Sequence, residues 1–148
     1  MKKRSDRIQR VQDIAENEER GYSRALGEAQ RQLDEQQKRL QELRQYRSEY
    51  ASRQPRGKGG AISSVQWADY QNFLRRLDDA VHAQAQLVAD GKRNRDAHRQ
   101  RWMKKRQKTE SLQRVVDRYR SDELRADERA EQKIQDDLPL QPNQFARR

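Results

Sequence analysis

The residues of this 148-residue chain best suited to chemistry are two histidines, His82 and His98, two aspartate pairs, Asp78-Asp79 and Asp136-Asp137, and one glycine-rich run. Histidines with carboxylates hold metal ions when their spacing brings them to one face, but His82 and His98 stand sixteen residues apart and no carboxylate completes a ligand set. Paired carboxylates share a proton in acid–base catalysis, yet neighbours on a helix point in different directions. Gly57-Lys58-Gly59-Gly60 has neither the spacing of a phosphate-cradling loop nor the hydroxyl residue that follows one. Cysteine is absent, which removes thiolate ligands and disulfides and fits a cytosolic address. The expectation is a protein that is not an enzyme, with no catalytic residue, cofactor or metal.

The elements that carry these residues follow from composition. Ile, Leu, Val, Phe and Met together number 25, too few for the core of an ordinary globular enzyme. Ala, Glu, Lys, Leu and Arg number 70, and all are strong helix formers. No apolar stretch nears the ~20 residues of a membrane span, and the basic N-terminus leads into no apolar run of a secretory signal. Prolines occur only at Pro55, Pro139 and Pro142, and three of the six glycines cluster at Gly57, Gly59 and Gly60. The punctuation predicts an all-α fold: helix 1 from about residue 5 to 51, a turn over about 52–61, helix 2 from about 62 to 138, and a flexible tail over 139–148. Ser63 or Ser64 caps the second helix in this reading, and Leu138-Pro139 ends it.

Heptad spacing predicts that the helices pair. Ile8, Val11, Ala15, Glu18, Tyr22, Ala25 and Ala29 form a first seam, and a shift at Tyr22–Leu26 opens a second through Leu33, Gln36, Leu40, Leu43, Arg47 and Tyr50. On helix 2 a single register runs from Tyr70 through Leu77, Val88, Gly91, Trp102, Thr109, Val116 and Glu123 to Ala130. A connection of roughly ten residues folds the helices back as an antiparallel coiled-coil hairpin in one elongated domain. Centring the hairpin on that connection puts Ile8 beside Lys105 and leaves helix 2 overhanging beyond about Leu112. The overhang, with Val115, Val116, Tyr119, Leu124, Ala126, Ala130 and Ile134, then has no internal cover, and its stripe of Leu112, Val116, Tyr119 and Ala126 calls for a partner.

Near the turn the apolar residues exceed what one seam uses. Leu43, Tyr46 and Tyr50 make a stripe on helix 1; Tyr70, Phe73, Leu77 and Ala80 make another on helix 2. Tyr46, Phe73 and Ala80 lie off the seam register, so part of this surface stays exposed. Charge is equally uneven. Of a net charge of +10, residues 92–109 carry +8, while 110–146 carry −3. A basic helix binds nucleic acid by neutralising phosphates, but no clustered aromatic platform accompanies this one. A charged face paired with Asp13, Glu16, Glu18 and Glu19 of helix 1 is the favoured account of it.

Leu40-Gln41-Glu42-Leu43-Arg44-Gln45-Tyr46-Arg47-Ser48-Glu49-Tyr50 resembles the Leu…Tyr-x-x-x-Tyr end of helix 1 in the FliJ family of flagellar export proteins. The run from Ile62 through Trp67, Tyr70, Phe73 and Leu77 to Val81 resembles the start of that family's helix 2, and Trp102 with Lys104-Lys105-Arg106 its mid-helix tryptophan and basic run. The resemblance implies a cytoplasmic stalk or adaptor, peripherally associated with the flagellar type III export apparatus at the inner membrane and shaped like the stalk of rotary ATPases. It implies binding to the export ATPase FliI and promotion of its hexamer, contact with the export gate protein FlhA, and association with FliH and export chaperones. The family's gate patch falls on Leu43, Tyr46, Tyr50, Phe73, Leu77 and Ala80, with Arg39 and Gln84 at its edge where relatives carry Gln and His. The stalk analogy sends Leu112, Val116, Tyr119 and Ala126 into the ATPase ring. The competing readings are an injectisome stalk of the YscO type and a basic coiled coil that binds nucleic acid.

Overall fold

The computed structural model describes residues 3–55 and 61–139. They form two helices packed against each other, α1 (Arg4–Ser52) of 49 residues and α2 (Ser64–Asp136) of 73. Part of the expected turn and nearly all of the expected tail, from Leu140 onward, lie outside the described residues. Ser63 caps α2: its hydroxyl accepts the Gln66 amide N–H at 3.1 Å, and the Gln66 side chain accepts the Ser63 N–H at 3.3 Å. This reciprocal pair satisfies two donors left free at a helix start. At the other end Asp137 and Leu138 close the last turn onto Lys133 and Gln135, immediately before Pro139.

The chain divides into two compact units, Arg20–Lys104 and Met1–Glu19 with Lys105–Arg148. In the first, which holds the turn, α1 and α2 run antiparallel, as the pairs Tyr50–Tyr70 and Arg47–Asp78 show. Leu33, Leu40 and Val88 form its buried cluster, with Val81 and Ala85 packed on it. Gly91 allows the close approach there, because a Cβ would meet Gln36 Oε1 at 2.5 Å and Leu33 Cδ1 at 3.3 Å. Gly21 and Gly27 have no such reason: an added Cβ meets nothing within 4 Å. Alanine is about 1 kcal/mol better than glycine inside a helix. Gly21→Ala and Gly27→Ala therefore each stabilise the protein by about 1 kcal/mol, read as a higher urea midpoint at unchanged slope.

The second unit is held by a more polar seam. Gln12 is buried and its amide donates to Gln113. Lys105 pairs with Glu18 at 3.1 Å, Arg120 donates to Gln9 at 2.9 Å, and Lys3 approaches Asp127 at 3.5 Å. Glu123 accepts both the backbone N–H and the hydroxyl of Ser5, at 3.1 and 2.6 Å, so a carboxylate of α2 caps the first turn of α1. The Ser5 hydroxyl bond above all holds this carboxyl below its usual range; desolvation opposes it, and the Ser5 N–H and the charges of Lys3 and Arg120 add to the lowering. A lowered pKa contributes stability above the ordinary carboxylate pKa and loses it as pH falls through the folded value. Amide protection over Ser5–Ile8, taken relative to the intrinsic exchange rate at each pH, should therefore fall at acid pH, and in Glu123→Ala it should be low already at neutral pH.

These pairs correct the expected alignment. Lys105 faces Glu18 rather than Ile8, a shift of about ten residues. The reason lies at the turn, where α2 first meets α1 at Tyr70, whose ring stacks on Tyr50 and whose hydroxyl donates to the Ala51 carbonyl at 2.9 Å. Residues 64–69 are exposed and run past the end of α1, so the pairing centre moves toward the C-terminus. The stripe expected to be uncovered is consequently covered by α1. Val116 is 0% exposed, Leu112 and Tyr119 are half-buried, and of the four only Ala126 is exposed. From Leu124 through Pro139 every residue of α2 and its end is exposed, Leu124 and Ile134 among them. On α1 the structure buries Gln12 at 1% where Val11, 46% exposed, was expected, and Glu19 is the more buried neighbour of Glu18. With those two replacements buried positions recur at alternating steps of three and four from Ser5 to Tyr50, and no stutter is needed at Tyr22–Leu26.

Candidate functional site: the aromatic surface beside the turn

Five rings form a continuous ladder in the turn-containing unit. Trp67 stacks on Tyr70 with centroids 5.6 Å apart, and Tyr70 on Tyr50 at 5.3 Å. Tyr50 then meets Phe73 at 4.5 Å with its plane tilted by 58°, and Phe73 meets Tyr46 edge-on at 6.5 Å and 89°. Offset and edge-to-face arrangements bring the positive edge of one ring to the negative face of the next, and each pair adds ~0.5–1.5 kcal/mol beyond its buried area. The spacing of three and four on both helices makes the ladder possible: Tyr46 and Tyr50 are one turn apart on α1, and Trp67, Tyr70 and Phe73 rise at three-residue steps on α2.

The ladder is tied down on its inner side and open on its outer side. Tyr70 is buried and anchored to Ala51, and Arg47 Nε meets Asp78 Oδ1 at 2.8 Å. Leu77, at 7% exposed, belongs to the seam. Tyr46 is 50% exposed, Trp67 is exposed at the turn end, and Leu43, Tyr50, Phe73 and Ala80 are half-buried. Of the six residues expected as a partner patch, five thus share this outer surface and Leu77 supports it from beneath.

Arg39 and Gln84 also fall beside these residues. With Glu42, Leu43 and Tyr46 they line a hollow of about 400 Å³. Gln84 is fixed there, since its amide donates to the Gln36 carbonyl at 3.0 Å. A second hollow, of about 580 Å³, opens toward the turn beside Tyr50, Tyr70 and Phe73. Sequence reasoning left Trp67 out of the surface; its i, i+3 spacing from Tyr70 was the available signal. Leu87 was also missed, an exposed leucine one turn beyond Gln84 on α2.

The basic run is partly neutralised within each unit. In the turn-containing unit Arg93 pairs with Asp90 and Arg95 with Asp96; in the other, Lys105 pairs with Glu18 and Arg106 with Glu110. Of the four helix 1 acids expected to meet it, Glu18 makes a cross-helix ion pair. Among the described residues no cluster of His, Asp and Glu is placed to hold a metal ion, and no helix is long and apolar enough to cross a membrane.

Two long antiparallel helices with one filled seam, and a ring ladder wider than that seam, define a two-helix coiled-coil protein with surplus surface at its turn. The family comparison makes the class specific. The model of the flagellar FliJ protein family matches residues 4–147, and the chain belongs to that family. It is 28% identical over 131 residues to a flagellar FliJ protein of Salmonella typhi, covering 88% of this chain and 89% of the relative. To that of Escherichia coli K12 it is 28% identical over 128 residues, covering 86% and 87%. Membership makes the chain a non-enzymatic component of flagellar export.

Proposed function

We propose that this protein is the stalk of the flagellar export apparatus, binding the export ATPase FliI and promoting its hexamer at one end and contacting the export gate protein FlhA at the other. The observation that carries the gate assignment is Tyr46, half exposed on a ladder whose seam is already filled. Leu43, Tyr46, Tyr50, Phe73 and Ala80 are its contact residues, Leu77 holds them from below, and Arg39 and Gln84 edge the surface. Chaperone escort and association with FliH belong to the same reading, and the protein acts peripherally at the inner membrane in the cytoplasm.

The ATPase-facing end needs different residues from those the uncovered stripe suggested. Val116 is fully buried and acts by holding α1 to α2. Exposed apolar side chains on the last turns of α2 include Leu124 and Ile134, and with Ala126 they are the contacts we assign to the ring. Two assays test the reading: co-purification of the full chain with FliI and with FlhA, and ATP hydrolysis by FliI with and without it. Wild-type protein should be retained by both and should stimulate hydrolysis. Leu124→Ser with Ile134→Ser should lower that stimulation severalfold while FlhA retention stays unchanged; full stimulation by this variant would reject the ring assignment.

A further inference from the structure

The hollow at the turn end of the aromatic surface joins ring faces to two arginines. Tyr50, Tyr70 and Phe73 give it ring faces, and Arg53 and Arg76 stand at its margin. Arg53 follows Tyr50 by three residues and Arg76 follows Phe73 by three, so each arginine lies one turn from a ladder ring. Both are exposed. Neither makes a side-chain hydrogen bond or an ion pair with another described residue, in contrast to Arg47, Arg93, Arg95 and Arg106, which all have carboxylate partners. Asp69 lines the same hollow and pairs with neither. Gln66, Asn72 and Pro55 complete the wall.

We propose that this hollow is an acid-recognising end of the partner surface, where a carboxylate side chain of the bound protein is held by Arg53 and Arg76 while an adjacent apolar residue rests on Tyr50, Tyr70 and Phe73. Guanidinium groups recognise carboxylates through paired N–H donors, and ring faces beside them suit an apolar neighbour. The occupant is therefore an acidic–apolar segment of a protein. Charge complementarity of this kind sets orientation and encounter rate as well as affinity. The inference rests on the reading that the aromatic surface docks FlhA, and it adds the chemistry of one end of that contact.

The test compares full-length wild type with Arg53→Glu/Arg76→Glu, Arg53→Lys/Arg76→Lys and Tyr46→Ala/Phe73→Ala, each checked for helicity. Binding to purified FlhA and to a single-stranded RNA oligonucleotide is measured at low and high salt. The glutamate pair should bind FlhA about tenfold or more weakly and lose much of the salt dependence, and the lysine pair, which keeps the charge but not the paired donors, should fall between the glutamate pair and wild type with its salt dependence retained. If the glutamate pair binds as wild type while the Tyr46/Phe73 variant does not, the acid-recognising end is wrong and the docking surface stands. Wild-type binding by both variants rejects the docking surface as well. RNA binding that vanishes in the glutamate pair with FlhA binding unchanged would overturn the proposal in favour of a nucleic acid occupant.

Discussion

Tyr46→Ala combined with Phe73→Ala should weaken binding to FlhA by roughly tenfold to a hundredfold while leaving the helices intact. A large aromatic side chain gains ~1.5–3 kcal/mol on full burial, but Tyr46 already has half its surface covered and Phe73 more than that. About half the full value for each gives a combined loss of ~1.5–3 kcal/mol, and every 1.4 kcal/mol is about tenfold in affinity. Aromatic residues with a packed base and an exposed face are also the usual hot spots of an interface. The fold should tolerate the change, because both residues lie outside the Leu33, Leu40 and Val88 cluster, and Tyr70 keeps its bond to Ala51. Far-ultraviolet circular dichroism should match wild type, and motility should fall with gate affinity.

Leu33→Ala should have the largest effect on stability, a loss of about 3–4 kcal/mol. Leu33 is fully buried, touches the cluster with Leu40 and Val88, and lies within van der Waals reach of the space above Gly91. Two helices meeting along one seam have little capacity to collapse into the resulting void, so the cavity cost adds to the lost transfer energy. Urea unfolding should show a markedly lower midpoint. The contrast with Val11→Ala is diagnostic: Val11 is exposed beside the buried Gln12, so its truncation should change the midpoint little.

The seam of α2 was legible because its apolar layers on both sides of a polar stretch, Arg95, His98 and Lys105, stay in one phase. Tyr70, Leu77, Val88, Thr109 and Val116 are all buried where the spacing put them. On α1 the same method followed Val11 past the true position, since a glutamine buried by bonding a second glutamine leaves no apolar signal. The alignment of the helices was less legible than their seams. Heptad phase fixes which face is inward but not which layer meets which; here the Tyr50–Tyr70 stack and the Tyr70–Ala51 bond decide it. That shift of about ten residues turned most of a stripe read as bare into one covered by α1, and of the overhang it left Leu124 and Ile134 among the exposed residues. The turn-end patch survived the same shift, because its excess of rings is a local property of each helix. What spacing did not reveal was the ladder geometry, which joins Trp67 to the four rings already singled out, Tyr46, Tyr50, Tyr70 and Phe73.

The central claim is that the surplus aromatic surface and the exposed end of α2 meet different export components. A photoreactive amino acid placed at position 46 or at position 134 of the full chain tests it directly, with FlhA and FliI both present. The account predicts crosslinks to FlhA from position 46 and to FliI from position 134. Crosslinks to FliI from position 46, with none to FlhA, would contradict it.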